Sequence, residues 1–226
     1  MFDIEKLDMR VKYTREWTFE ALYKLLETNE YNKIKISEII IKAGISRATF
    51  YRNFTTKDDV VILRVKRFFE QFYMNISYHY KNTDQGDARF LIQSYFNLVH
   101  EEEKVISTII KCNLEYLMVE GILKIINTQR EQFYKLIKPN EQTEKYTMEI
   151  VASSAWTLLS RWIKNGKKET AEELVEIYLS TFKSVYIALF GDLVDLNFRG
   201  WLFCLRKSYN QSRNFQDLTN LKTKME

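Results

Sequence analysis

The chain has 226 residues, with one proline, six glycines and a net charge of +4 at pH 7. This length fits one large domain or two small ones and is sufficient to enclose a hydrophobic core. The scarcity of proline and glycine, together with abundant leucine, isoleucine, lysine and glutamate, predicts an all-α protein. The small net charge does not by itself indicate a nucleic-acid-binding protein, so the distribution of charge along the chain is more informative.

The cysteine content and the apolar runs exclude several classes of protein. Cys112 and Cys204 lie far apart and have no metal-ligand spacing, which favours a reduced chain. No apolar run approaches the roughly 20 residues that a membrane-spanning helix needs. The N-terminal sequence lacks the basic start and apolar core of a signal peptide. We therefore expect a cytoplasmic protein with no membrane partner.

The first predicted helix covers residues 10–28. Trp17, Ala21 and Leu25 recur every fourth residue, with Leu22 and Leu26 beside them, so we expect one apolar stripe that packs inward. Three basic side chains lie near the start of this helix, where the helix dipole disfavours positive charge. A nearby polyanion favours such a cluster, although solvent exposure explains it almost as well. These basic residues are Arg10, Lys12 and Arg15.

Residues 36–59 predict two short helices joined by a tight turn, followed by the start of a third helix. Gly44 supplies the left-handed backbone that ends the first of these helices. Ser46 can accept a hydrogen bond from the free N–H groups that open the second. Thr56 and Asp59 have the spacing of a capping box for the third.

The second short helix has two distinct faces. Phe50 and Phe54 are one turn apart and are expected to face inward. No acidic residue occurs between Glu38 and Asp58, so the segment is locally cationic. A tightly turned helix pair with a basic, aromatic outer face is what binding in the major groove requires. That outer face carries Arg47, Ala48, Tyr51 and Arg52.

These motifs, taken in order, make residues 10–72 resemble the DNA-binding domain of the TetR/AcrR family of bacterial transcriptional regulators. The matching pieces are R-x-K-x-T at 10–14, I-x-x-A-G-I-S at 40–46, R-A-T-F-Y-R-N-F at 47–54 and T-K-D at 56–58. The R-x-T-F-Y form is similar to the branch that includes activators of dihydroxyacetone-kinase operons. The resemblance implies an N-terminal three-helix helix-turn-helix domain followed by a helical ligand-binding and dimerisation domain.

The resemblance also assigns roles to individual residues. Arg47 and Arg52 are the candidate base readers, because a guanidinium can bind guanine O6 and N7 together. Tyr51 would bind a phosphate, and Ala48 would touch a thymine methyl or permit close approach. Lys35 stands where the family usually has a capping threonine, so we expect a less well capped helix and a side chain that can reach phosphate. The predicted DNA-binding residues are Thr14, Lys35, Ser46, Arg47, Ala48, Tyr51, Arg52 and Lys57, of which Thr14 and Lys57 would hold the flanking backbone.

The predicted domain organisation follows from the same resemblance. We expect a DNA-binding domain at 1–56, a connecting helix at 57–81 and a helical ligand-binding and dimerisation domain at 82–226. The W-I-K-N-G sequence at 162–166 resembles the end of the penultimate helix of the family's ligand domain. A capping box at 170–173 is expected to open the helix that follows.

The resemblance implies a homodimer, because the last two helices of each subunit form a four-helix interface in this family. Packing of these helices within their own chain is the alternative, since an apolar stripe does not show what covers it. A single DNA-contacting helix reads little DNA, and a twofold operator needs two DNA-binding domains. We call this domain, residues 1–56 of each subunit, the head. This requirement favours the dimer. The predicted interface residues are Leu158, Trp162, Ile177, Phe182 and Val185.

The central domain of this family binds inducers, which implies an unknown small-molecule effector here. Tyr95, Tyr116, Phe133 and Trp156 are the predicted ligand-binding residues, although aromatics at helical spacing are more often part of a core. Residues 191–226 are additional to a minimal member of the family. We expect them to cover the chain's own hydrophobic surface, and a contact to DNA or to a partner is the alternative.

Catalytic chemistry finds little support in the sequence. His79 and His100 have no Cys, His or carboxylate partner at ligand spacing, and there is no glycine-rich phosphate loop. The run Glu101–Glu103 is typical of a solvated helix face. We therefore expect no catalytic residue, no metal site and no cofactor, and a protein that is not an enzyme.

The sequence thus predicts a DNA-binding transcriptional regulator. It would act as a repressor, bind a palindromic double-stranded DNA operator as a homodimer and respond to a small molecule. The alternative is a helical adaptor that acts through a protein partner, with the head domain not used for reading DNA.

Overall fold

The computed structural model describes residues 8–82, 88–129 and 144–190. In this part of the chain all regular structure is helical, which confirms the predicted fold class. None of these helices is long and apolar enough to cross a membrane. The elements are α1 (Met9–Leu25), a short 3₁₀ turn (Tyr31–Lys33), α2 (Ile36–Ala43), α3 (Arg47–Asn53), α4 (Asp58–Asn82), α5 (Ala88–Glu101), α6 (Glu103–Lys111), α7 (Tyr116–Thr128), α8 (Glu144–Lys164) and α9 (Ala171–Phe190).

The described residues form two compact units. The first unit contains residues 8–75 and 98–128, and the second contains residues 76–82, 88–97, 129 and 144–190. Helices α6 and α7 therefore pack with the N-terminal helices, although they come much later in the sequence. The predicted boundaries after residues 56 and 81, which separate a DNA-binding domain, a connecting helix and a ligand-binding domain, stay a prediction.

Ala21, Leu22 and Leu26 of the predicted stripe of α1 are buried, but Trp17 is not. Thr18 and Leu22 are fully buried, whereas Trp17 is 57% exposed and stacks on Tyr13 with ring centroids 6.0 Å apart. The hydroxyl of Thr18 donates a hydrogen bond to the carbonyl of Thr14 at 2.7 Å, which allows a polar residue to occupy a core position. The prediction that Trp17 faces inward was therefore wrong.

Helix α4 begins with the predicted capping box. Asp59 Oδ2 accepts a hydrogen bond from the N–H of Thr56 at 2.8 Å, and the Thr56 hydroxyl accepts one from the N–H of Asp59 at 3.3 Å. The helix then places a row of apolar side chains in the core of the first unit. The buried residues of this row are Val60, Val61, Val65, Phe68, Phe69 and Phe72.

Helix α7 approaches α4 so closely at Gly121 that a side chain does not fit there. A Cβ placed on Gly121 would lie 2.0 Å from Cε2 of Phe69. The Phe69 ring is 2% exposed and packs edge-on against Phe68 with centroids 5.1 Å apart, so it has little room to move. This contact explains why a glycine lies inside the helix, although glycine costs about 1 kcal/mol there relative to alanine.

We expect Gly121→Ala to lower the free energy of unfolding by about 1–3 kcal/mol, the usual cost of overpacking a core. Urea unfolding followed by circular dichroism measures this loss. Adding Phe69→Leu to Gly121→Ala should recover part of it, because the smaller side chain gives the new methyl group room. A Gly121→Ala variant that is as stable as the parent would contradict the close approach of α7 to α4.

In the second unit, Tyr178 of α9 connects α5 and α8. Its hydroxyl donates a hydrogen bond to the carbonyl of Val151 at 3.1 Å and lies 3.1 Å from the hydroxyl of Ser154. Its ring meets the ring of Phe96 edge-on, with centroids 6.0 Å apart. Burial raises the pKa of Tyr178 to about 12, so the hydroxyl stays neutral and serves as a buried hydrogen-bond donor.

The connection between α8 and α9 forms as predicted. Gly166 has a φ of 83°, the left-handed conformation that ends a helix. Glu173 Oε2 accepts a hydrogen bond from the N–H of Thr170 at 2.8 Å, and the Thr170 hydroxyl accepts one from the N–H of Glu173 at 3.2 Å. The capping box at 170–173 is therefore present and fixes the start of α9.

Candidate nucleic-acid interface

The turn between α2 and α3 has the predicted left-handed glycine. Gly44 has φ 65° and ψ 31°. Its N–H donates to the carbonyl of Ile41 at 3.2 Å, and the N–H of Ile45 donates to the carbonyl of Ile40 at 3.3 Å. These two bonds form a Schellman motif, which satisfies carbonyl groups at the end of α2 and turns the chain sharply into α3.

Helix α3 begins at the predicted cap. The Ser46 hydroxyl accepts a hydrogen bond from the N–H of Thr49 at 3.0 Å and lies 2.8 Å from the Thr49 hydroxyl. A cap of this kind stabilises a helix by about 1 kcal/mol, which matters for a helix of only seven residues. The Ser46 side chain is exposed, so it remains a predicted DNA contact as well.

The two faces of α3 are separated as predicted. Phe50 and Phe54 are 0% and 3% exposed, and their ring centroids lie 5.2 Å apart. They fasten the helix to the core of the head and leave its other face in solvent. The exposed residues of that face are Arg47, Ala48, Tyr51 and Arg52.

The start of α2 has half of a capping box. Lys35 makes no side-chain cap hydrogen bond, as its replacement of a threonine predicts. The Glu38 carboxylate accepts a hydrogen bond from the N–H of Lys35 at 2.7 Å. A negative charge in the first turn also suits the helix dipole. The exposed side chain of Lys35 stays a predicted phosphate contact.

Lys57 has a role inside the head that the sequence does not predict. Its Nζ donates hydrogen bonds to the carbonyls of Tyr31 and Ile34 at 2.7 and 3.2 Å and lies 4.2 Å from the centroid of the Tyr31 ring. Two of the three hydrogens of this ammonium group are thus used within the chain. A phosphate contact through the third hydrogen stays a prediction.

Sequence reasoning missed Tyr31 and Asp58. The Tyr31 hydroxyl donates a hydrogen bond to the Asp58 carboxylate, and burial followed by this bond raises the pKa of Tyr31. The pair ties the connection between α1 and α2 to the start of α4. An aromatic residue within an otherwise polar connection is the signal that would have identified Tyr31.

Thr14 lies on α1, apart in sequence from the other predicted contacts. Its side chain is half-buried, and its hydroxyl donates a hydrogen bond to the carbonyl of Arg10 at 2.8 Å. The oxygen keeps a lone pair for a further donor, but the hydrogen is already engaged. A phosphate offers only acceptors, so Thr14 would have to exchange its bond to Arg10 for one to DNA.

The predicted ligand-binding aromatics lie in different surroundings. Tyr95 and Trp156 belong to the second unit and are 3% and 7% exposed. Tyr116 belongs to the first unit and is 51% exposed, so it is not part of a buried core. Phe133 lies outside the described residues, as does the extension at 191–226. The ligand-binding role of these aromatics stays a prediction.

Trp162 belongs to the interior of its own chain. Its side chain is 4% exposed, and its indole N–H donates a hydrogen bond to the carbonyl of Glu169 at 3.0 Å. The side chain is thus covered mainly by its own chain. The predicted contribution of Trp162 to a dimer interface stays a prediction.

For the other predicted interface residues, contact with a second subunit also stays a prediction. Ile177 is 40% exposed and Leu158 is half-buried, so both can contact a second subunit. Phe182 and Val185 belong to α9, but the structure does not describe their side chains.

The chain resembles a known protein family in sequence and solved structures in fold. Residues 19–62 match the profile of bacterial regulatory proteins of the tetR family. None of the curated proteins is a recognisable relative by sequence.

Three solved structures illustrate the likeness in fold. Lin0861 from Listeria innocua has a TM-score of 0.66 and 17% identity, and the match covers 81% of this chain and 96% of that chain. The dihydroxyacetone kinase operon activator DhaS has a TM-score of 0.53 and 16% identity, covering 76% of this chain and 94% of its own. The regulator FadR from Bacillus subtilis, solved in complex with stearoyl-CoA, has a TM-score of 0.50 and 15% identity, covering 78% and 98%.

The sequence match falls on the head, where the turn, the cap and the two-faced α3 helix lie. The likeness in fold extends over most of the chain, up to 81% of its residues. Residues 19–62 therefore carry the sequence profile of the tetR family of bacterial regulatory proteins, and the chain has the fold of these solved structures, with an N-terminal helix-turn-helix domain followed by a helical C-terminal part.

Proposed function

We propose that the protein is a transcriptional repressor that binds a palindromic operator as a homodimer and responds to a small-molecule effector in the cytoplasm. The observation that carries this proposal is the arrangement of α3. Arg47, Tyr51 and Arg52 extend from its solvent face, while Phe50 holds the opposite face in the core. A rigid helix with exposed guanidinium groups can enter a major groove and read guanine bases.

The size of α3 supports a dimer. A helix of seven residues is roughly 10 Å long at about 1.5 Å per residue and contacts only a few base pairs. Two heads related by a twofold axis would read two half-sites, and their binding free energies would combine. In the second unit, exposed apolar side chains on α8 and α9 could pack against a partner. They include Tyr146 at 64%, Ile150 at 61% and Ile177 at 40% exposure.

The effector would act by favouring one conformation of the dimer. A ligand shifts the equilibrium only if it binds one spacing of the heads more tightly than the other. FadR from Bacillus subtilis has a similar fold and was solved in complex with stearoyl-CoA, which supports the proposal that this chain binds a small molecule. In this chain, Tyr95 and Trp156 are the candidates for contact with the ligand.

Lys57→Ala tests the predicted phosphate contact. We expect weaker binding to all DNA sequences, because a phosphate contact carries no sequence information. The slope of log K against log salt concentration should become less negative by about 0.9 for the one lost contact. Fluorescence anisotropy at several salt concentrations measures this slope.

Lys33→Ala is the matched control, since Lys33 is exposed and pairs with Glu30 at 3.1 Å on the same connection. It should leave the slope unchanged. If Lys57→Ala also leaves the slope unchanged, Lys57 acts only inside the head and does not touch phosphate.

A binding assay on the DNA upstream of the protein's own gene tests the proposed function. We expect salt-dependent binding of two subunits to one site, which a gel shift with measured stoichiometry detects. If a well-folded sample gives no salt-dependent shift on any fragment, the proposal fails. That result would favour the helical adaptor that acts through a protein partner.

A further inference from the structure

Helix α6 is attached to α1 by two lysines on one face. Lys104 and Lys111 are seven residues apart, which places them two turns apart on the same side of α6. Lys104 Nζ lies 3.0 Å from both carboxylate oxygens of Glu20. Lys111 Nζ donates a hydrogen bond to the carbonyl of Leu26 at 3.0 Å. All four residues lie within the first compact unit.

The two attachments differ in strength. The side chains of Lys104 and Glu20 are 54% and 39% exposed, and exposed pairs of this kind contribute little to stability. The bond from Lys111 is partly buried, and its acceptor, the carbonyl of Leu26, belongs to the C-cap residue of α1. The last carbonyls of a helix lack partners within the helix and carry its partial negative charge, so an ammonium group suits this position.

The beginning of α6 is attached to α4. Arg64 Nη2 lies 2.6 Å from Oε2 of Glu102, the residue that precedes α6, and these side chains are only 12% and 22% exposed. Arg64 Nε also lies 3.8 Å from the carboxylate of Glu16 on α1. Helix α6 is therefore tied to the N-terminal helices at both of its ends.

The attachment at Leu26 has a consequence for the reading helices. The chain runs from Leu26 through a short connection to α2, and α3 follows after the tight turn. Lys111 holds the first end of this connection, and Lys57 holds the carbonyls of Tyr31 and Ile34 near its second end. Both ends are thus fixed by lysines from outside the connection.

We propose that Lys111 is a positioning residue for DNA reading. By holding the carbonyl of Leu26 it fixes the connection between α1 and α2, and through that connection it fixes the orientation of α2 and α3. Helix α6 would then set the position of the head through α1 as well as through α4. The effect on DNA rests on the function proposed above, whereas the fixing of the connection does not.

Hydrogen exchange in the full-length protein tests the structural part directly. Lys111→Met keeps the bulk of the side chain and removes its positive charge. Lys111→Arg keeps the bulk and the charge. Lys24→Met is the matched control, since Lys24 is an exposed lysine in the last turn of α1. Circular dichroism establishes that each variant keeps its helix content. We expect the amides of residues 27–35 to exchange several-fold faster in Lys111→Met, but not in Lys111→Arg or Lys24→Met.

DNA binding by the same variants tests the functional part. Lys111→Met should lose several-fold in affinity for a specific site, keep its affinity for random DNA and keep the parent's salt dependence. Unchanged exchange in Lys111→Met would overturn the proposal, and so would a salt slope that changes by about one phosphate contact. If the parent itself does not distinguish specific from random DNA, the proposed function fails, while the exchange rates still decide whether Lys111 fixes the connection.

Discussion

Replacing Phe50 with alanine is expected to lower the free energy of unfolding of the head by about 3–5 kcal/mol, the usual cost of removing a buried aromatic ring. Phe50 is fully buried and packs against Phe54 with ring centroids 5.2 Å apart. The variant should also lose DNA binding, because α3 would no longer be held against the core. Urea unfolding followed by circular dichroism, together with anisotropy on DNA, measures both effects.

Tyr51→Ala is the matched control for Phe50→Ala, because the two residues are adjacent in α3. Tyr51 is 49% exposed, so its loss should change stability by no more than about 0.5 kcal/mol. It should nevertheless weaken DNA binding if its hydroxyl contacts a phosphate. A Phe50→Ala variant that unfolds like the Tyr51→Ala variant would contradict the two-faced arrangement of α3.

The second large effect is expected for Arg47→Ala. Arg47 is exposed at the first position of α3, and the proposed role is a paired contact with guanine O6 and N7. Removing such a contact should reduce the preference for the specific site by about 1–3 kcal/mol, roughly fivefold to 150-fold, with a smaller loss on random DNA. Competition binding between specific and random DNA measures this preference directly.

Arg47→Lys separates base reading from simple charge. Lysine keeps the positive charge but cannot make the flat paired contact of a guanidinium, so specificity should fall while salt dependence stays close to that of the parent. Equal losses on specific and random DNA for Arg47→Ala would show that Arg47 contacts the backbone and does not read bases.

The features that the sequence predicted well are local. Gly44, Ser46 and the Thr56–Asp59 capping box act through hydrogen bonds to residues within a few positions along the chain, so their spacing alone was sufficient. The inward position of Phe50 followed in the same way from its place in a short helix. These features also formed the basis of the resemblance to the family.

The features that the sequence did not predict depend on packing between distant segments. Trp17 fits an inward stripe by periodicity, but it is exposed, and the polar residue Thr18 occupies a core position. The ammonium group of Lys57 binds carbonyls 23 and 26 residues earlier in the chain. Trp162 lies in an apolar stripe that could pack on a partner, and the structure buries it in its own subunit.

The sequence pattern also did not predict which helices pack together in each compact unit. Periodicity shows that α6 and α7 have apolar faces, but not that they pack with the N-terminal helices. The contacts that join them are single atoms at particular distances, such as Lys111 Nζ on the carbonyl of Leu26 and the Phe69 ring against Gly121. Helices α6 and α7 therefore belong to the same compact unit as the helices proposed to read DNA.

The central claim is that two copies of α3 read a twofold-symmetric DNA sequence. Selection of bound sequences from random double-stranded DNA by the full-length protein tests it most directly. The account predicts an enriched palindrome whose half-sites are related by a twofold axis and lie one or more helical turns apart. Recovery of no enriched sequence by a well-folded protein, or of a single asymmetric site bound by one chain, would contradict it.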